Sequence, residues 1–261
     1  MPRSAQTRSA SSSTRSAASG RFAVPNFKDS LVFDGVNDIG SSNAVLTMNS
    51  RTKLTICSRI QMLSAAGDKV IFEYSENHNN HTAFLVASRS IGDGSLDFTM
   101  HNDTFASTYA GCRTPPLTVG TWYSIVWTWD GTLATNEATV FINGVETNVA
   151  RQLNGNVVLG MEDAIINFGA RATVIAPGNF RMKDWTAFSG KVFTQAEIND
   201  YSFRNKLPTP GAGESRVAQY LFNEGTGTTV AETGNSALNL TLTGSPAWAT
   251  NVPTIGRTAI S

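Results

Sequence analysis

The sequence predicts an all-β protein: a sandwich of two antiparallel sheets with one short helix and an extended N-terminal arm. Three observations predict it. Apolar side chains alternate with a period of two in short runs, as in a strand that buries one face. Gly, Asn, Asp and Ser interrupt those runs about every ten residues, the rhythm of a sandwich. Only one segment carries the start signal of a helix. Apolar residues make up 41% and charged residues 15% of the 261, so the chain can fill a core.

Residues 1–28 form a separate piece. The stretch MPRSAQTRSASSSTRSAASGRFAVP is rich in Ser, Ala and Arg and has almost nothing to bury. That is the composition of a flexible arm, and also of a mitochondrial transit peptide. Arg3, Arg8, Arg15, Arg21 and Lys28 give it +5 with no acid, while the remainder holds 15 basic and 20 acidic side chains, or −5. The asymmetry predicts an anchoring element that binds a partner through its arginines.

The sandwich is expected over residues 29–251. Leu31 to Phe33 is the first strand and ends at Asp34-Gly35. Leu54, Ile56, Ser58 and Ile60 alternate with Thr55, Cys57 and Arg59, which places Cys57 on the face opposite the core residues. Val70 to Tyr74, Ala83 to Ala87 and Leu96 to Met100 follow. The clearest signal runs from Gly120 to Val145: Tyr123, Ile125, Trp127 and Trp129 alternate with Trp122, Ser124, Val126 and Thr128 up to Asp130-Gly131. Thr139 to Ile142 then leads into Asn143-Gly144, which supplies the positive φ angles of a two-residue hairpin. Ile165 to Phe168, Phe180 to Phe188, Val217 to Phe222 and Leu238 to Leu242 complete the strand set. Thr194-Gln195-Ala196-Glu197 is a capping box, so a helix of two or three turns starts there, with Ile198 and Tyr201 on one face and Pro208 as its stop. Residues 207–216 read as an internal linker and 252–261 as a C-terminal tail.

No apolar run reaches the length of a membrane span, and the start lacks the apolar stretch of a signal peptide, so neither membrane insertion nor secretion by that route is expected. Cys57 and Cys112 are too few for a disulfide framework and are expected free. No phosphate loop, nucleotide fingerprint or Ser/His/Asp arrangement falls on suitable elements. His78 and His81 sit in an Asn-rich turn without an evident third metal ligand.

Four segments together resemble the laminin-G-like, concanavalin A-like jelly-roll domains. They are Leu31-Val32-Phe33-Asp34-Gly35-Val36-Asn37-Asp38, the Trp122 to Gly144 hairpin, Met182 to Ile198 ending in the capped helix, and Tyr220-Leu221-Phe222-Asn223-Glu224-Gly225-Thr226-Gly227 with Gly234-Asn235 and Leu242-Thr243-Gly244. The chain departs from the pattern at Lys183, where the family often has an acid. It also carries the last segment at the C-terminus rather than before the first strand. That segment is expected to pair beside the N-terminal strand of its own chain.

The resemblance implies specific chemistry to look for. Related glycoside hydrolases place alternating acids on one strand, and no strand here has that spacing: Glu162-Asp163 are adjacent, and Asp97 and Asp103 are isolated. The family often holds structural calcium, for which Asp34, Asn37, Asp38, Asn223, Glu224 and Asn235 are the candidate oxygens; no other cofactor is expected. Trp127 and Trp129 share a face with Ile125 and read as core rather than as a sugar platform, while Trp122, Trp185 and Trp248 stay unassigned. With the arm, these features predict a non-enzymatic virion structural protein. It would be a bacteriophage capsid decoration protein on the particle surface, assembled in the host cytoplasm, homo-oligomeric and bound to other capsid proteins. The alternative is a carbohydrate-binding or adhesive module recognising a host-surface glycan. Four arginines spread over the arm are too sparse for nucleic acid.

Overall fold

The computed structural model describes residues 29–48, 50–75, 83–88, 92–101, 109–134, 138–147, 151–154, 161–171, 176–234 and 236–250. The four arm arginines, His78, His81, Asp103 and Asn235 lie outside them. The described strands form two sheets. The eight-stranded sheet runs in the order β10 (Val145–Glu146), β9 (Ala138–Ile142), β8 (Trp122–Asp130), β3 (Lys53–Met62), β13 (Asn179–Ser189), β1 (Asp29–Asp34) and β17 (Ala247–Thr250), with β14 (Ser215–Tyr220) also on β13. The nine-stranded sheet runs β11 (Arg151–Asn154), β7 (Tyr109–Arg113), β6 (Leu96–His101), β5 (Ala83–Ser88), β4 (Val70–Tyr74), β12 (Ile166–Phe168), β2 (Ile39–Ser42), β16 (Leu240–Thr243) and β15 (Thr229–Val230).

Alternation fills the space between the sheets. On β8, Ile125, Trp127 and Trp129 face the other sheet and are buried, as their spacing predicts. Trp185 of β13 joins them, so it too is a core residue. Phe72 of β4 lies 5.5 Å from Trp127 and 5.8 Å from Trp185, and Phe168 of β12 lies 5.3 Å from Trp185, each pair edge to face. Such pairs add about 0.5–1.5 kcal/mol each beyond the area they bury. Asn143 (φ 51°) and Gly144 (φ 84°) close the β9–β10 hairpin in the left-handed geometry expected of them.

α1 (Gln195–Arg204) covers the part of the eight-stranded sheet's outer face formed by β3, β8, β9 and β13. Thr194 and Glu197 form the capping box reciprocally, and Asn205 (φ 53°) ends the helix three residues before Pro208. Ile198 and Tyr201 pack with Phe193 on Cys57, Val126, Phe141 and Phe188. Cys57 therefore points away from the main core, as expected, and is buried under the helix. Cys112 lies in the other sheet, and no disulfide joins the two. A buried polar knot fastens the helix: the Arg59 guanidinium donates to the Asp184 carboxylate, to Asn205 Oδ1 (2.7 Å) and to the Tyr201 carbonyl (2.9 Å), and Tyr201 Oη donates to Asp184 Oδ1 (3.0 Å).

Two strands share one edge of β13. β1 pairs with its first half as far as Met182, and β14 pairs from Trp185 onward. Lys183 is the extra residue of a bulge between them; it is buried, and its ammonium donates to the Asp29 carbonyl. The C-terminal strands stay within the chain: β17 pairs with β1 and β16 with β2. The segment from Leu207 to β14 is tied down rather than loose, by Arg51 Nη1 to the Gly213 carbonyl (2.7 Å) and Lys191 to Glu214 (3.1 Å).

Candidate functional site

α1 takes up part of one outer face, and the outer face of the nine-stranded sheet carries a row of buried polar residues. Ile166 and Phe168 point into the core, so Asn167 between them points outward; Glu73 does the same between Phe72 and Tyr74. The register sets Ser41, Asn167 and Glu73 side by side on β2, β12 and β4. Ser41 Oγ donates to Asn167 Oδ1 (2.6 Å). Asn167 is 0% exposed and Glu73 2%. Ser75, two residues beyond Glu73, is buried as well. Asn167 Nδ2 and Ser75 Oγ have no hydrogen-bond partner among the described residues. Half-buried Ser41 and Thr99 lie on either side of this shielded centre. Farther along the face, Arg113 holds Asp97 through two hydrogen bonds of 2.5 and 3.0 Å.

Among the described residues this face brings together polar donors and acceptors, and its two nearest acids, Glu73 and Asp97, are not adjacent. Glu73 and Asp97 stand two strands apart and two residues out of register, roughly 12 Å between Cα atoms. Glycoside hydrolysis needs carboxyl groups about 5–9.5 Å apart, and Asp97 is already committed to Arg113. Asp163 has a structural partner too, accepting from the Met48 amide (2.7 Å).

The calcium candidates do not converge. Asp34 and Asp38 meet in the turn after β1, where Asp38 Oδ2 accepts from the Asp34 amide (2.9 Å) and Asp34 Oδ1 from the Val36 amide (2.8 Å). Burial, then the neighbouring Asp34 charge, pushes the Asp38 carboxyl above the usual range, against the pull of the Asp34 amide. Gly244 fits against this turn only because it lacks a side chain: a Cβ there would stand 2.2 Å from the Asn37 carbonyl. Glu224 lies at the other end of β1, beside Gly225 and Asp29, and its Oε1 accepts from the Ala231 amide (2.8 Å); Asn223 is exposed. Among the described residues no three His, Cys, Asp or Glu side chains group as metal ligands. β1 separates Asp34 and Asp38 from Glu224 by its own length, and Asn235 lies outside the described residues. Trp248 is not a stacking platform either, since it packs against the core and its indole N–H donates to the Gly227 carbonyl (3.1 Å).

Sequence reading missed Ser41, Glu73, Ser75 and Asn167. Their only signal was a single polar residue inside each of two apolar runs, VIFEY and INF.

No helix among the described residues is long and apolar enough to cross a membrane. No curated protein sequence matches the chain significantly. Among solved structures, it is similar to a protein from Bacteroides ovatus ATCC 8483 assigned provisionally to carbohydrate binding. That match has a TM-score of 0.62 and 14% identity, covering 88% of this chain and 62% of that longer one. It is also similar to the heptameric SAP-like pentraxin of Limulus polyphemus, with a TM-score of 0.52 and 17% identity, covering 68% and 83%. At these identities the likeness is one of fold. The family model of the concanavalin A-like lectin/glucanases superfamily, in its laminin-G-like form, matches residues 34–199, and the chain belongs to that family.

Proposed function

We propose that this protein is a non-catalytic carbohydrate-binding module whose ligand lies on the outer face of the nine-stranded sheet. Asn167 carries the reading: its amide is fully buried on that face, anchored through Oδ1 by Ser41, with Nδ2 unbonded among the described residues. A buried unpaired N–H costs about 1–3 kcal/mol, and a sugar hydroxyl entering from the Ser41 flank, next to Asn167 in the register, would satisfy it. Sugar sites commonly use a few fixed polar groups of this kind. The family and the Bacteroides ovatus relative support the same reading. Glycan-array screening of the full chain, followed by calorimetry on each hit, tests it. Asn167→Leu should weaken binding at least about tenfold while leaving the melting temperature within a few degrees. A full chain that binds no glycan, or one that releases reducing sugar from polysaccharide, would refute the proposal.

A second, compatible reading is the display of this module on a virion as a bacteriophage capsid decoration, with residues 1–28 held by neighbouring capsid subunits. The pairing of Asp29 with Thr250 favours it, because arm and tail then leave the sandwich at one point. Deleting residues 1–28 should abolish co-sedimentation with the particle and leave the melt unchanged; undiminished incorporation would rule it out.

A further inference from the structure

The buried amide of Asn167 stands in a row that the register carries to the edge of the sheet. On the outer face Asn167 of β12 pairs with Ser41 of β2, Ser41 with Thr241 of β16, and Thr241 with Thr229 of β15, the last strand on that side. Neighbouring strands lie about 4.8 Å apart, so the row spans about 14 Å. Exposure rises along it: Asn167 is 0% exposed, Ser41 is half-buried, and Thr241 and Thr229 are exposed. In the other direction the next register partner, Glu73, is only 2% exposed. The row therefore opens to solvent over β16 and β15. Both strands lie beyond residues 34–199, the part of the chain that the family model matches, so this flank is an addition made by the C-terminal segment.

The hydroxyls of the row have a set polarity. Ser41 Oγ donates its proton to Asn167 Oδ1 (2.6 Å), and Thr241 Oγ1 donates to Asn43 Oδ1 (2.6 Å). A hydroxyl has one proton to give and two lone pairs. Both oxygens thus meet a ligand as acceptors, while Asn167 Nδ2 meets it as a donor. None of the four side chains is charged or aromatic.

We infer that the ligand of the site proposed above is a neutral, linear, extended polysaccharide lying across the strands. One ring sits at Asn167, and successive rings pass over Ser41, Thr241 and Thr229 to the edge at β15. The inference rests on the carbohydrate-binding reading and adds the class and direction of the chain. Repeated free hydroxyls supply what the row asks for, an oxygen for Asn167 Nδ2 and protons for Ser41 and Thr241. The strand spacing is close to the advance of one pyranose in a chain joined by equatorial 1,4 links, so one ring falls on each strand. An acidic sugar would find no cation in the row to pair with its carboxylate.

Calorimetry on the full chain tests this with β-1,4-linked gluco- and manno-oligosaccharides, monomer to hexamer, and with oligogalacturonates as the charged probe. In at least one neutral series, affinity should rise at least about tenfold from dimer to tetramer as two more hydroxyl contacts form. It should level off beyond the tetramer, where the row ends, and the oligogalacturonates should bind more weakly at equal length. Thr241→Val keeps a β-branched side chain at an exposed strand position, so the fold should hold and the melting temperature stay within a few degrees. This variant should weaken the tetramer about threefold to tenfold and narrow its advantage over the dimer, whereas Asn167→Leu should weaken every length alike. Equal affinity for dimer and tetramer, an unaltered tetramer affinity in Thr241→Val, tighter binding of oligogalacturonates, or no binding of either neutral series would overturn the inference. Binding without length dependence, or of a different glycan, would leave the carbohydrate-binding reading in place; a chain that binds no glycan would remove both.

Discussion

Replacing Arg59 by Met should destabilise the protein by about 3–5 kcal/mol, the range for stripping one partner from a buried ion pair. The side chains of Arg59 and Asp184 are only 4% and 6% exposed. The guanidinium also makes hydrogen bonds of 2.7 Å to Asn205 Oδ1 and 2.9 Å to the Tyr201 carbonyl, and stacks 4.5 Å from the Tyr201 ring centre. Methionine can fill much of that space, so a cavity is the smaller part of the cost. The larger part is the Asp184 carboxylate, which keeps the Tyr201 hydroxyl but loses its counter-charge. Asp184→Asn added to Arg59→Met should therefore recover part of the loss, with a coupling energy of at least about 1.5 kcal/mol. Urea unfolding followed by tryptophan fluorescence measures all four corners of the cycle. Hydrogen exchange should show the largest loss of protection in α1, which the knot pins to the sheet. Strict additivity, or a single variant within about 1 kcal/mol of wild type, would refute the assignment of this pair as the clamp.

Asp38 has its folded-state pKa raised by burial and by Asp34. The folded chain thus holds a proton more tightly than the unfolded one, and this contribution to stability is present at low pH and lost as pH rises through the folded pKa. Asp38→Asn should accordingly melt higher than wild type at pH 7, with the gap closing below about pH 4; melts with calcium or EDTA check the turn separately, since a calcium-dependent rise abolished by the same variant would make it a cation site. Gly144→Ala should cost about 1–2 kcal/mol from left-handed strain, and more from contact, because a Cβ there meets the Phe203 ring at 2.8 Å. Cys57 and Cys112 are 0% and 3% exposed and sit in different sheets. Thiol labelling should therefore be slow for the native protein and reach two groups in urea, and reductant should leave the melting temperature unchanged.

The long strands were legible because their signals are local. The run from Trp122 to Asp130, the turn at Asn143-Gly144 and the capping box at Thr194 each carry their geometry within a few residues. β2, β7, β10, β11, β15 and β17 were not read as strands. Gly40, Ser41 and Ser42 of β2 or Val145-Glu146 of β10 have no pattern of their own, and they extend because a neighbour offers them a ladder. Lys183 stood out as a departure from the family pattern, but only the sharing of β13 by β1 and β14 explains it as a bulge.

The sequence by itself determined the class of fold, the capped helix, the core role of Trp127 and Trp129, and the uneven placing of charge. All of these follow from period, turn chemistry and composition, which act over a few residues. The tertiary structure decided which residues meet. Ser41 and Asn167 are 126 positions apart and share a hydrogen bond, whereas Asp34 and Glu224, paired in the expected calcium set, are kept apart by the length of β1. A site made of single polar residues on different strands has no local signature, because its chemistry exists only once the register of the sheet is set.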